Sequence, residues 1–573
     1  MHASAIGLRH DYKNTSNVIH LIDSPGHVDF CQEVTSSLMA CDGALVVVDA
    51  VEGMGARLHA VLRETYSNEL VPILVINKID RLCTEMQLTK AEAYLRVRGL
   101  LESVNAACAA MIISKEQELL AQSSSSGNVA DVTKEIDTEN SDWNFDPVRG
   151  NVIFASALHN WGFSVPGLAR LLFKAKTLPI KPKVLKNYLW GDYKYNSEKQ
   201  KVFAWKQSAS GDTALPMFAE FGLGPIWDIY NAVQEYSDAI AANKGNKPDN
   251  AQRKRKQTIS ISSPGIEKLL SAIKCGNSTA VDYSIQGIDD LQKLFNSFSA
   301  GSNSNEEGLH RAVLRRFRSL SDSVLDSVCD LLPSPVDAAK HKRSLGLRFG
   351  PNDEQLTAFQ KENYPMLYDA LRACSTSSEE PTVAHICKFM AVAIRDLSVV
   401  PSYVTEEGMD KSTTVLVGLA RVMSGILRSE DVEYNIYGPP DVDKGTQQPS
   451  AKSKVHLFLI MGSSLVAVEE VPAGHICAVS NVDDLRWRTL TLCDKEYGVP
   501  VQGVSIKARP LVKVNVEACI PSGKNGFLPS TFPLYQYYLM LIIAKRFVCA
   551  NFINPNPLHA QQRQACLKAA LFA

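Results

Sequence analysis

Short apolar runs separated by helical stretches open the chain. Val18 to Ile22, Ala44 to Val48 and Ile73 to Ile76 are four or five residues long and rich in β-branched side chains, as expected of strands buried on both faces. The segments between them repeat apolar residues at helical spacing, so the alternation predicts a parallel α/β sheet. Another short strand is expected at Asn151-Val152-Ile153-Phe154. Before it, residues 118–150 turn to Ser, Asn, Asp and Glu and include Ser123-Ser124-Ser125-Ser126-Gly127, which predicts a polar surface insertion. Residues 167–375 are mostly helical in pattern, with Ile226 to Val233 and Val324 to Leu332 as clear examples and polar interruptions near 239–263 and 299–308. From about 383 to 505, apolar runs such as Val415 to Val422, His456 to Met461 and His475 to Val479 recur between turn residues. That rhythm predicts an antiparallel β-barrel. The stretch from Cys519 onward has no clear period.

Composition narrows the class. At 573 residues the chain is long enough for three or four domains at roughly 150 residues each. Lys plus Arg number 60 and Asp plus Glu 61, so there is no net field to attract a polyanion, and any nucleic-acid contact must be local. The 13 cysteines include no C-x-x-C pair, which argues against structural zinc and for reduced thiols. The longest tempting apolar run, Tyr537 to Ala544, stops at Lys545-Arg546, and Met1-His2-Ala3-Ser4 starts no signal peptide. A cytoplasmic protein without membrane spans is expected.

Three loops carry candidate chemistry. Asp23-Ser24-Pro25-Gly26-His27 follows the first run, Asn77-Lys78-Ile79-Asp80 ends the third, and Ser156-Ala157-Leu158 ends the run Val152 to Phe154. If all three strands lie in one sheet, these loops meet at its carboxyl edge, where open α/β sheets bind ligands. Together they match the G3, G4 and G5 elements of a guanine-nucleotide-binding domain. The Asp80 carboxylate can accept hydrogen bonds from N1–H and the exocyclic amine of guanine, whereas adenine would leave it unpaired. Asn77 can tie the base loop to neighbouring backbone, the Lys78 stem can cover the ring, and the Ala157 N–H can meet guanine O6. Asp23 would hold Mg²⁺ through water, the Gly26 N–H would approach the γ-phosphate, and His27 would orient the attacking water.

The run Leu21 to Phe30, with Asp49-Ala50-Val51-Glu52-Gly53 and Asn77-Lys78-Ile79-Asp80-Arg81, resembles the translational GTPases of the elongation factor 2 group. Within that group, the polar insertion, Gly150 to Ala157 running into Asn160-Trp161-Gly162-Phe163, and Glu92-Ala93-Tyr94 are more similar to the elongation factor-like GTPases of large-subunit maturation than to the translocase. The resemblance continues through Leu189-Trp190-Gly191-Asp192-Tyr193, Leu332-Pro333-Ser334-Pro335, Gly418 to Gly425 and Val471 to Ile476, and fades after Pro510 to Glu517. It implies an α/β, P-loop-type G domain at 1–178, a helical inserted subdomain at 179–380, a β-barrel domain at 381–504, and the start of a third domain at 505–573. It further implies GTP/GDP and Mg²⁺ as cofactors. The implied partners are the pre-ribosomal large subunit, the Shwachman-Bodian-Diamond syndrome protein, the anti-association factor and ribosomal RNA. A translocase fragment and a non-catalytic ribosome-binding protein are the alternatives. Arg253-Lys254-Arg255-Lys256 suits an RNA contact, but such a run is more often simply solvated.

One expected motif is missing. No G-x-x-x-x-G-K-[ST] occurs, and the one Gly-Lys pair, Gly523-Lys524, precedes Asn525. By the resemblance, the P-loop and its central strand would lie upstream of Met1, and the chain is expected to be truncated at both ends. Losing three or more charge-assisted hydrogen bonds of roughly 1.5 to 3 kcal/mol each lowers affinity by about 3 to 7 decades. These 573 residues are therefore expected to hold GTP poorly.

Overall fold

The computed structural model describes residues 4–25, 31–123, 141–205, 215–231, 234, 311, 314–315, 318–342, 356–399, 414–439, 449–482 and 487–501. Gly26, His27, most of the polar insertion, the basic run at Arg253 to Lys256 and everything after residue 501 lie outside them.

The chain begins with a hairpin of β1 (Ser4–Tyr12) and β2 (Thr15–Asp23). Its two turn residues, Lys13 and Asn14, have φ of 49° and 64°, the paired left-handed geometry that matches the natural twist of two strands. Helix α1 (Cys31–Leu38) leads to β3 (Gly43–Asp49), α2 (Ala56–Ser67), β4 (Val71–Asn77), a short α3 (Asp80–Thr84) and the long α4 (Lys90–Ser123). After the insertion come β5 (Val152–Ser156), β6 (Trp161–Ser164), α5 (Val165–Lys174) and α6 (Pro182–Leu189). Strands β3, β4 and β5 are parallel, and β6 closes the sheet antiparallel to β5.

Alternation along the strands explains why their sequences are apolar throughout. Leu74 and Ile76 of β4, with Val152 and Phe154 of β5, pack against Leu58 and Leu62 of α2, Tyr94, Val97 and Val104 of α4, and Phe218 and Ile226 of the inserted subdomain. Their neighbours Ile73, Val75, Ile153 and Ala155 point the other way. There they meet Leu320, Val324 and Val328 of α7 (Leu320–Leu331). Both faces are covered, so a period of two in side-chain direction leaves no polar face to show in the sequence. Gly162 allows this layer to close, because a Cβ there would stand 2.9 Å from Leu320 Cδ1 and 3.3 Å from the Phe154 carbonyl oxygen.

The inserted subdomain is helical as its pattern predicts, with one addition. A hairpin, β7 (Tyr193–Asn196) with β8 (Lys201–Ala204), interrupts it. A π-helical turn, Phe218–Leu223, then runs into helix over 224–231. Thus the insertion clasps the sheet, with residues 217–231 on one face and α7 on the other. Helix α8 (Ala358–Ala373), started by a reciprocal Thr357–Gln360 capping box, leads out of it.

By length and composition, α4 over Lys90–Lys115 could cross a membrane, a point that reading the apolar runs alone passed over. Ala93, Tyr94, Val97, Leu100, Leu101, Val104 and Cys108 form one stripe packed into the core, the arrangement of a core-facing amphipathic helix.

The named strands of the C-terminal half pair antiparallel, with an isolated parallel bridge between Leu397 and Leu465. This half comprises β9 (Val383–Ala393), β10 (Thr414–Ser424), β11 (Ile426–Arg428), β12 (Glu433–Tyr437), β13 (Ala451–Lys454), β14 (His456–Met461), β15 (Ser464–Val468), β16 (Glu470–Pro472), β17 (Ile476–Ser480) and β18 (Leu490–Cys493). The order is β13-β12-β18-β9-β10-β17-β14-β1-β2, with β15 beside β14 and β11 paired separately with β16. Among the described residues this path does not return on itself, so the structure shows a sheet where the sequence pattern predicts a closed barrel.

The order also corrects the placement of the first hairpin. Strand β2, expected in the parallel sheet, pairs among the described residues with β1 alone, and β1 joins the antiparallel sheet through Ile6 opposite Met461. The outer edge of β3 has no partner strand among the described residues. Two buried ion pairs fasten α1 and its exit to this sheet. Lys388 Nζ meets Glu33 Oε2 at 2.6 Å, and Arg421 reaches Asp42 Oδ1 at 2.7 Å while donating to the Ala40 carbonyl at 3.1 Å.

Candidate functional site

The parallel register brings three strand ends to one edge. Asp49 ends β3 opposite Asn77, which ends β4, and Ile76 stands opposite Phe154 two residues before the end of β5 at Ser156. Backbone bonds extend this order past the strands, from Ala50 N–H to the Asn77 carbonyl at 2.9 Å and from Ile79 N–H to the Ala155 carbonyl at 3.2 Å. The N-K-x-D loop is therefore stitched to both neighbours at the carboxyl edge, where the sequence reading placed it.

Each loop residue has a distinct job. Asn77 Oδ1 accepts from the Ala157 N–H at 2.9 Å, which is the loop tie expected of it. The same bond corrects the expectation for Ala157, whose N–H is engaged by Asn77 and is not a free donor toward guanine O6. Lys78 adopts φ of 61°, a left-handed conformation costing about 1 to 2 kcal/mol outside glycine. Its ammonium sits 2.7 Å from Asp49 Oδ2, and Arg81 lies 3.6 Å from the same oxygen. Asp49 Oδ1 accepts from the Val51 and Glu52 N–H groups at 2.7 and 3.2 Å. Burial pushes the Asp49 carboxyl up, but Lys78 and the two backbone donors outweigh it and hold the group below the ordinary carboxylate range. Asp49, quoted in the sequence only as part of a matching motif, is a structural member of the site.

Asp80 differs from Asp49. It is 3 % exposed, and its Oδ1 is buried without a hydrogen-bond partner. Burial dominates and raises the Asp80 pKa, with the Ser156 bond opposing it. A carboxylate oxygen that is buried and unpaired is costly. It suits a ligand presenting N–H donors, and the guanine edge is such a ligand. Ser156 is itself fully buried and also accepts from the His159 N–H at 3.2 Å.

Asp23 stands apart. It ends β2 opposite Ser4 in the hairpin, is exposed, and is not brought beside Asn77 or Asp80. Among the described residues no three His, Cys, Asp or Glu side chains gather as a metal set. No step is assigned through a magnesium ion. Gly26 and His27, the two remaining residues of this loop in the sequence reading, lie outside the described residues.

A parallel α/β sheet with an N-K-x-D loop and a buried aspartate at its carboxyl edge defines a guanine-nucleotide-binding type of domain. Residues 3–239 match the elongation factor Tu GTP binding domain. The chain is 29 % identical over 560 residues to ribosome assembly protein 1 of Schizosaccharomyces pombe, covering 91 % of this chain and 49 % of that protein. It is 26 % identical over 615 residues to human elongation factor-like GTPase 1, covering 91 % and 50 %. The Saccharomyces cerevisiae ribosome assembly protein 1 is 30 % identical over 387 residues, 67 % of this chain and 30 % of that protein. The chain thus spans about half the length, or less, of these relatives.

Because the folded pKa of Asp80 is raised, its ionisation opposes folding. The cost is absent where both states are protonated and complete above the folded pKa. Asp80→Asn should therefore stabilise the unliganded protein at pH 7, by about 0.5 to 2 kcal/mol as is common where function strains a site. The gain should vanish as pH falls below the ordinary carboxylate range. Denaturant titrations at pH 7 and pH 3.5 check this, and a variant less stable than wild type at pH 7 contradicts it.

Proposed function

We propose that the Asp80 edge binds the guanine base of GTP or GDP and that the protein acts as a GTPase in ribosome assembly. The observation that carries this reading is the buried Asp80 carboxylate with its unpartnered Oδ1 beside the N-K-x-D backbone. Guanine offers N1–H and an exocyclic amine to such an acceptor, whereas adenine offers a lone pair at N1, so burial turns a hydrogen bond into discrimination. Asn77 and Ser156 hold the loop, and Lys78 would leave Asp49 or extend its stem over the ring when the base arrives.

The relatives named for ribosome assembly support the biological setting. In it, hydrolysis on the late pre-ribosomal large subunit would be coupled to release of the anti-association factor, together with the Shwachman-Bodian-Diamond syndrome protein and with ribosomal RNA contacts. The names of these relatives favour that setting over translocation. A magnesium ion would accompany the phosphates by family resemblance, and Gly26 would lie near them. His27, one residue further on, would orient the attacking water.

These 573 residues contain no G-x-x-x-x-G-K-[ST], so binding should be weak and hydrolysis unmeasurable while base preference persists. Calorimetry with GDP, ADP and XDP should give GDP a preference over ADP of about tenfold or more. Asp80→Asn should move the preference toward XDP. Equal affinity for GDP and ADP in the wild type contradicts the assignment.

His27 has its own test once a phosphate-binding segment is supplied and hydrolysis is restored. A water-orienting group acts mainly in the transition state. His27→Ala should then lower large-subunit-stimulated single-turnover hydrolysis by about 10²-fold or more with nucleotide affinity nearly unchanged. Stimulation equal to wild type would make His27 an ordinary loop residue.

A further inference from the structure

The ion pair between Asp49 and Lys78 joins the ends of two neighbouring strands, and each partner is fixed from its own side. Asp49 ends β3 opposite Asn77, and its Oδ1 accepts from the Val51 and Glu52 N–H groups at 2.7 and 3.2 Å. The turn it caps closes where the Gly53 N–H donates to the Asp49 carbonyl at 2.9 Å, with Gly53 at φ of 75°. From α4, the Arg96 guanidinium donates to the Val51 carbonyl at 2.6 Å. The other carboxylate oxygen, Oδ2, is buried, 2.7 Å from Lys78 Nζ and 3.6 Å from Arg81.

Lys78 is held twice. Its backbone, at φ of 61°, lies between the Ala50 bond to the Asn77 carbonyl and the Ile79 bond to the Ala155 carbonyl, while its ammonium is set by Asp49. The methylene stem is thus fixed at both ends. It is still open, because the Lys78 side chain is 48 % exposed where that of Asp49 is 13 %. A lysine stem ordinarily samples many rotamers and loses that freedom when a ligand packs on it. Here the loss is taken as the loop folds, before any ligand arrives.

The difference in burial decides how the pair responds to a ligand. If the ammonium left, Asp49 Oδ2 would keep, among the described residues, only Arg81 at 3.6 Å, which already pairs with Glu85 at 2.8 Å. A buried carboxylate stripped of its partner is strongly unfavourable. If the ammonium stays, the exposed flank of the stem can cover an aromatic face with no bond broken. Resting on the guanine reading of Asp80, we propose that Asp49 is a positioning residue for nucleotide affinity: it pins the Lys78 ammonium before and after binding, so that the lysine stem lies ready to cover the purine whose edge Asp80 reads. Covering a ring face does not depend on which atoms its edge carries. Asp49 therefore sets affinity, and Asp80 sets base preference.

Calorimetry and carboxyl NMR on the full chain test this. Asn at position 49 keeps an oxygen for the Val51 and Glu52 N–H groups and removes the charge facing Lys78, so the turn should persist. Asp49→Asn should weaken GDP and ADP alike, about tenfold, the scale of one long side chain's rotamer freedom. The GDP-over-ADP ratio should stay at its wild-type value, and a lower ratio overturns the division of roles. Lys78→Met, at an exposed position, should weaken GDP equally, and the double variant no further. A double variant that loses the product of the two single losses shows independent damage and overturns the pin. GDP binding by Asp49→Asn as tight as wild type, or tighter because Lys78 leaves Asp49 for the ligand, overturns it too. With ¹³C-labelled aspartate, the Asp49 carboxyl should titrate below the ordinary carboxylate range in the free protein and stay there with saturating GDP. A midpoint that rises with GDP shows the pair breaking and overturns the proposal, while a GDP preference over ADP leaves the guanine site standing. A wild type with no preference for GDP over ADP overturns both.

Discussion

A carboxylate buried without a full set of partners is the constraint around which this site is organised. Asp80 is 3 % exposed with one oxygen unpaired, and a group in that state is tolerated only where its surroundings leave it no alternative. Backbone bonds to the ends of β3 and β5 fix the loop, and Asn77 braces it against Ala157. One unpaired acceptor, the buried Oδ1, is left in a dry setting. In water that acceptor would discriminate little, because solvent would satisfy it with any base.

The insertion is part of this arrangement. By clasping both faces of the sheet it buries β4 and β5 completely, and through Tyr230, Trp161 and His159 it reaches the back of the base loop. Trp161 and Trp227 are core anchors, with the Trp227 Nε1–H donating to the Leu88 carbonyl at 2.9 Å. Asp42 and Glu33, paired with Arg421 and Lys388, fasten the segment after the D-x-x-G loop to the antiparallel sheet. Truncating one member of such a pair leaves its partner as an uncompensated buried charge.

Where a signal was local, it was legible. The runs around Val46, Ile73 and Ile153 became strands, the loops after two of them met at one edge, and the helical pattern near Ile226 and Val324 became the two clasps. Pairing partners were not legible, because Val18 to Ile22 reads as a strand whichever sheet it joins, and the hairpin it forms with β1 is drawn into the antiparallel sheet by the long-range pairing of Ile6 with Met461. Asp49 was quoted for its motif alone, since an ion pair between residues 29 positions apart in sequence leaves no periodic trace. The occupied state of the Ala157 N–H was equally hidden, as it depends on which of two acceptors, Asn77 or a base, is nearer. Tyr230 looked like one more apolar-helix residue, and only the fold brings its hydroxyl to His159 and Trp161.

The central claim is that the open Asp80 oxygen receives the guanine edge, and the carboxyl itself can report on it. With ¹³C-labelled aspartate, the Asp80 carboxyl signal is followed through a pH titration of the free protein and of protein with saturating GDP or ADP. Donors from a bound base favour the ionised carboxyl and lower its pKa. The account predicts a free midpoint above the ordinary carboxylate range, a lower midpoint with GDP, and no change with ADP. The same midpoint with GDP as with ADP would contradict it.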